Sequence, residues 1–341
     1  MSQQHQQRKL EDQVLSTIRL FASSLNSGQK VVADMSALVE VTSRLSLSNL
    51  DRWERLIRWE LHQALSSSKP AKWKFWSQPT PFLTWIDLCD GDGFKRERTL
   101  RALSGAAPNR FFLAMAVRRL NDWVPQVRAA AYERLLSIAN DSDPKDVVDV
   151  LCAVFPHWNS WGRMDKNGKE ILLKITSIET VSRTLKSCVI SETAGPLASV
   201  LAQAGQVPVL DVYLPEIASN AIQPSVRAKA YRCLLDGKMV WSSGRKWEWS
   251  DIRYCEGHFK PLLCDRPLSI KSPFEETLRA ASEDRSPMVR CIAGDVLIRE
   301  SGTIGSLALK LANLLASDPH PSVAERGQFA LSKLSQMAPG T

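Results

Sequence analysis

Apolar residues recur three or four positions apart along most of the chain, while sustained apolar–polar alternation is rare. The chain therefore reads as one helix after another. Val14, Ile18, Phe21 and Leu25 share a helical face that stops near Gly28. Val32, Met35, Val39 and Ser43 predict a second helix. Leu50, Trp53, Ile57, Leu61 and Leu65 predict a third, starting near Asn49, with Arg52, Glu54, Arg55 and Arg58 on its wetter side. The expected fold class is all-α.

Four later segments superpose on Pro125, Pro224, Pro287 and Pro321. Two residues after each proline stands Val127, Val226, Val289 or Val323. Four and eight residues further come Ala131 and Leu135, Ala230 and Leu234, Ala293 and Leu297, and Gly327 and Leu331. Proline's fixed φ and missing N–H suit a helix's first turn, and spacings of four place valine, small residue and leucine on one face. The small residue admits a close neighbouring helix. Asp122, Asp284 and Asp318 precede their prolines by three, where a carboxylate can brace the turn; Ala221 breaks the pattern. Arg128, Arg227 and Arg290 follow the valines, with Ala324 breaking the last copy.

This D-x-x-P-x-V-R-x-x-A-x-x-x-L pattern resembles the turn and second helix of HEAT repeats. The resemblance implies an α-solenoid of antiparallel helical hairpins, each stacked on its neighbours. First helices are expected over 109–120, 209–220, 274–283 and 304–317. Degenerate units between Pro125 and Pro224 are expected to use helices at 146–155, 169–176, 179–190 and 194–204. Only Pro287 and Pro321 are spaced near the repeat's roughly 40-residue period. The expected organisation is an N-terminal helical region at 1–66, HEAT-like repeats at 67–236, a Trp-rich irregular insertion at 237–272 and C-terminal HEAT-like repeats at 273–341. The repeat residues themselves are read as builders of the turns, not as catalytic groups.

Three stretches interrupt the rhythm. Residues 66–84 hold Lys69, Lys72, Trp73, Lys74, Trp76 and three prolines, and 156–168 hold Trp158, Trp161, Arg163 and Lys166. Residues 237–273 hold Trp241, Arg245, Lys246, Trp247, Trp249, Arg253 and Tyr254. There Lys246, Glu248 and Ser250 alternate with Trp247, Trp249 and Asp251, which predicts a short hairpin within an otherwise irregular loop. So many tryptophans argue for ordered, functional inserts.

Composition is that of an ordinary globular chain: 341 residues, 44% hydrophobic and 23% charged, with a net charge of +8. The longest apolar run, Phe111 to Val117, is far too short for a membrane span of about 20 residues. No apolar leader opens the sequence, and the seven cysteines form no C-x-x-C pair. The expected setting is the reducing cytoplasm, without membrane attachment and with most thiols buried.

Most of the positive excess falls between Lys69 and Arg119. The candidate binding residues are Lys72, Trp73, Lys74, Trp76, Lys95, Arg96, Arg98, Arg101, Arg118, Arg119, Arg245, Lys246, Trp247 and Trp249. Cations of this kind neutralise phosphates while aromatic rings stack on bases. The competing reading has Trp73, Trp76 and Trp85 capping the core while the lysines stay solvated. Cys255, His258 and Cys264, with Asp251 or Asp265, offer zinc-type donors in a spacing that matches no recognised finger. Asp90-Gly-Asp92-Gly reads as a helix-start turn capped by Asp92 rather than a calcium loop, since Phe94, Lys95 and Arg96 occupy the later ligand positions. Nucleophile-elbow, phosphate-loop, dinucleotide and zincin motifs are absent from the sequence. The sequence thus points to a non-enzymatic, cofactor-free HEAT-like scaffold or adaptor that holds a protein partner within a larger assembly. The alternative is nucleic-acid binding through a basic, aromatic surface, with a weaker version resembling the HEAT-like alkylated-base glycosylases in architecture alone.

Overall fold

The computed structural model describes residues 3–26, 34–67 and 83–337. Among the described residues there are sixteen α-helices, several short 3₁₀ turns and one two-stranded sheet, so the chain is mostly helical. No helix among them is long and apolar enough to cross a membrane. The chain divides into two compact units, Met1–His157 with Trp161–Val181, and Trp158–Ser160 with Ser182–Thr341.

The first unit contains α1 (Gln3–Asn26), α2 (Ser36–Ser43), α3 (Leu50–Ser67), α4 (Gly93–Ala102), α5 (Arg110–Arg118), α6 (Pro125–Asp141), α7 (Pro144–Val154) and α8 (Lys166–Thr176). Helix α5 explains the long apolar run: every residue from Phe111 to Val117 is buried, because α2, α3, α6 and α7 all pack around it. Asn109 starts it by accepting hydrogen bonds from the Phe111 and Phe112 N–H groups, and its own amide donates to the Val39 carbonyl and the Thr42 hydroxyl.

Most of α9 (Glu179–Ser191) lies in the second unit, followed by α10 (Leu197–Ala204), α11 (Leu214–Asn220) and α12 (Pro224–Asp236). Strands β1 (Lys238–Asp251) and β2 (Glu256–Pro267) come next, then α13 (Phe274–Ser282), α14 (Pro287–Glu300), α15 (Ser306–Ala316) and α16 (Pro321–Met337). Helix α11 packs on α12, α13 on α14 and α15 on α16; α12 also packs on α14, and α14 on α16.

The aligned positions do what their chemistry suggests. The four prolines each open a helix, and Val127, Val226, Val289 and Val323 are fully buried together with Ala131, Ala230 and Ala293. Gly327, the fourth small position, allows a close approach: a Cβ there would lie 2.1 Å from the Ala316 backbone nitrogen.

Each turn aspartate braces its own turn through an N–H two residues on: Asp122 accepts from Val124, Asp284 from Ser286 and Asp318 from His320. Two of the three arginines then connect one turn to the next, whereas Arg128 donates back to the Asp122 carbonyl of its own turn. Arg227 bonds both carboxylate oxygens of Asp284 at 2.9 Å, and Arg290 bonds those of Asp318 at 2.6 and 2.9 Å. Arg227 and Arg290 also reach back to carbonyls at the start of their own turns, Ala221 and Ile222 for the first and Asp284 for the second.

The same geometry reveals a copy the sequence reading did not align. Arg96 bonds Asp122 at 2.7 and 2.9 Å and reaches back to the Asp90 and Gly91 carbonyls. Asp90, Gly93, Arg96, Thr99 and Leu103 therefore stand at the aspartate, proline, arginine, small and leucine positions. One turn later the series changes chemistry, because the Asp165 carboxylate accepts from the Tyr132 hydroxyl at 2.7 Å.

The segment expected as an irregular insertion is instead a long antiparallel hairpin with two bulges, paired from Lys238↔Pro267 to Asp251↔Glu256. Backbone hydrogen bonds satisfy long strands even where neither face is buried, which is why burial periodicity in the sequence did not announce its length.

Candidate functional site

Gly237 ends α12 in the left-handed conformation at φ 65° and turns the chain into β1. Its carbonyl accepts from the Leu268 N–H at 2.9 Å, closing the hairpin at its base. Met239 is fully buried there, its sulfur 3.6 Å from that of Cys233. Asn159 and Gln203 both donate to the Ser242 carbonyl, and the Gln203 side chain also accepts from the buried Trp158 indole. Lys229 donates to the Val240 carbonyl.

The strongest tie is Arg266. Its guanidinium bonds both oxygens of the fully buried Asp211, at 2.7 and 2.8 Å, and donates further to the Gly205, Val207 and Pro267 carbonyls. Ser269 adds its N–H and hydroxyl to Asp211. Burial opposes ionisation of this carboxyl, but the hydrogen bonds from Arg266 and Ser269 outweigh it and hold Asp211 below the usual carboxylate range.

Beyond this base the hairpin stands clear of the helices. A bulge between Ser242 and Gly244 inserts one residue, after which Arg245, Trp247 and Trp249 share a face with Phe259, Pro261 and Leu263 of β2. Trp247 meets Phe259 edge-on at 5.0 Å and Trp249 edge-on at 5.4 Å. Gly257 makes room for this packing, since a Cβ there would come within 2.6 Å of the Trp247 ring. The face remains open to solvent: Trp249 is 51%, Phe259 62% and Leu263 65% exposed, with Ile252 and Tyr254 exposed at the tip. The opposite face carries Lys260 paired to Glu248 at 3.1 Å, Lys246 beside them and the exposed Leu262 next along β2. Among the described residues, Arg245 and Lys246 have no carboxylate partner, whereas Lys238, Arg253 and Lys260 do.

The other basic candidates are arranged quite differently. Arg96 and Arg119 are buried, which removes them from any binding surface; Arg119 bridges Glu54 at 2.7 Å and Asp122 at 3.0 Å. Lys95 is held by Asp87 and Asp90, Arg101 by Glu97 and Glu133, Arg110 by Asp149, and Arg118 by Asp51 and Glu54. Burial opposes charge on Glu54, but Arg119 and Arg118 overcome it and lower its pKa. Of the described cations from Lys95 to Arg119, only exposed Arg98 has no carboxylate among the described residues. The charge of the described cations from Lys95 to Arg119 is thus largely cancelled by carboxylates, several of them outside the segment, such as Glu54, Asp122 and Asp149. Lys72, Trp73, Lys74 and Trp76 lie outside the described residues. Trp85 is buried, as a core-capping ring would be.

The zinc-type donors are not gathered. Cys255 sits in the hairpin turn, His258 opposite Glu248 and Cys264 opposite Trp241, so His258 and Cys264 are about 20 Å apart along one strand. Among the described residues no three His, Cys, Asp or Glu side chains form a group able to hold a metal. Cys89 is buried and its thiol is pushed up to about 12 by desolvation, which keeps it protonated and unreactive at neutral pH. Asp92 caps α4 by accepting from the Phe94 N–H.

Sequence reasoning singled out Trp247 and Trp249 but missed Phe259, Pro261 and Leu263, which complete their face. The alternation in β1 was the available signal, and pairing it with the apolar residues of β2 required the register. No protein-family model matches the sequence, and no curated protein matches it.

Proposed function

We propose that this chain is a non-enzymatic helical-repeat scaffold of the HEAT-like α-solenoid type, which holds a protein partner through its aromatic hairpin. The repeated aspartate-braced turns, joined by Arg96–Asp122, Arg227–Asp284 and Arg290–Asp318, support the repeat reading. One observation carries the function. A cluster of large apolar side chains stands in water on a hairpin whose base is fixed by Arg266, Asp211 and Met239. Water-exposed clusters of this kind mark interaction surfaces, and a rigid base spares the partner the entropy of ordering the element. The neutralised cations around Arg96 and Arg119 favour a protein partner over nucleic acid.

The test is recovery of the tagged full chain from its native cells at low and high salt, beside the double variant Trp249→Ser/Phe259→Ser. A stoichiometric protein companion that survives salt and is lost with the variant supports the scaffold. A chain recovered alone at both salt concentrations contradicts it. Nucleic acid released by salt would favour the alternative.

A further inference from the structure

Resting on that docking reading, we infer that the hairpin's occupant is a short acidic segment of a partner protein, with bulky apolar side chains on the aromatic face and a carboxylate on Arg245. The apolar face consists of Trp247, Trp249, Phe259, Pro261 and Leu263, and Arg245 stands beside them on the same face. Elsewhere on the hairpin Lys260 is spent on Glu248, Arg253 on Asp251, Lys238 on Asp265 and Arg266 on Asp211, while exposed Glu256, without a cation partner among the described residues, lies at the tip on the opposite face. Arg245 is exposed and has no carboxylate partner among the described residues, and Lys246 next to it is in the same position. The unanswered charge at the apolar face is therefore positive, and a guanidinium selects carboxylate by a two-pronged hydrogen bond.

Area argues for a segment rather than a second copy of the chain. The exposed part of this face amounts to on the order of 500 Å², short of the roughly 800 Å² each partner contributes to a stable interface. It is enough for an extended peptide that fills the space between the rings.

The probe is a fluorescein-labelled peptide of alternating Glu and Leu, with one counterpart carrying Lys for Glu and another carrying Ser for Leu. Anisotropy is read on the full chain. The acidic peptide should bind at least tenfold more tightly than the basic one, and Arg245→Glu should remove or reverse that preference. The serine peptide, and the variant Trp249→Ser/Phe259→Ser, should lose binding. Equal affinity for acidic and basic peptides, or a preference unchanged by Arg245→Glu, overturns the inference. So does a concentration-dependent dimer that the double variant dissolves, or displacement of the peptide by an oligonucleotide. The native companion separates the two claims. If it is lost with Trp249→Ser/Phe259→Ser but kept with Arg245→Glu, the acidic occupant falls and the docking reading stands. If it is kept with both, both fall.

Discussion

Arg227 and Asp284, 57 residues apart in sequence, meet in a two-pronged ion pair whose arginine is essentially inaccessible to water. The pair connects the turn before α12 to the turn before α14. Removing one partner strands a buried charge, so Asp284→Ala should lower stability by about 3–5 kcal/mol. Asp295 pairs with Arg326 on the surface, and Asp295→Ala should cost less than about 1 kcal/mol. Urea unfolding midpoints measure both; equal losses would contradict the structural role assigned to the buried pair.

Acid should unfold the chain through its braced carboxylates. Asp122, Asp211 and Glu54 are ionised more readily in the folded protein, because arginine and N–H partners overcome the penalty of burial. A lowered folded pKa stabilises fully above the unfolded value of about 4, and that contribution disappears as pH falls through the folded pKa. Urea midpoints should be flat near neutrality and drop steeply below about pH 4. Asp211→Asn should be less stable at neutral pH yet show a shallower acid limb. A parallel acid limb in the variant would show that Asp211 does not contribute to it.

Gly327 tests the close approach of α15 and α16. A Cβ there meets Ala316 nitrogen at 2.1 Å and Leu315 carbon at 2.4 Å, both backbone atoms that cannot rotate away. Gly327→Ala should force the helices apart and cost about 1–3 kcal/mol in chemical denaturation. An unchanged midpoint would mean the helices are not packed this tightly.

Gly257→Ala probes the aromatic face instead. The new methyl displaces the Trp247 ring and presses on the Glu248 carbonyl at 2.8 Å. Because the outer hairpin is exposed, global stability should change by less than about 1 kcal/mol. The near-ultraviolet circular dichroism of the edge-on Trp247–Trp249 pair should change markedly. A large global loss with unaltered dichroism would reverse this assignment.

The repeat positions were legible because Pro125, Val127 and Ala131 and their counterparts are local in sequence and their burial follows from helical spacing. The Asp90–Arg96 copy escaped because Gly93 replaces the proline and Lys95 the valine, the two anchors of the alignment, and the pairing of its arginine spans turns. Arg96 and Arg119 looked like surface charge because a sequence shows cations without their partners, and Glu54 and Asp122 arrive through tertiary packing. The hairpin was half legible. Lys246 to Asp251 alternate, but the bulges at Ser242/Gly244 and Trp249/Asp251 interrupt the period, and the Asp211–Arg266 tie that fixes the base is invisible until the chain folds.

The most direct test of partner docking replaces Phe259 with the photo-crosslinking residue benzoylphenylalanine in the native cells, with Leu309, exposed on α15, as the matched control position. Irradiation should join position 259, and not 309, to one discrete protein. No adduct at 259, adducts to nucleic acid alone, or the same adducts from both positions would contradict the account.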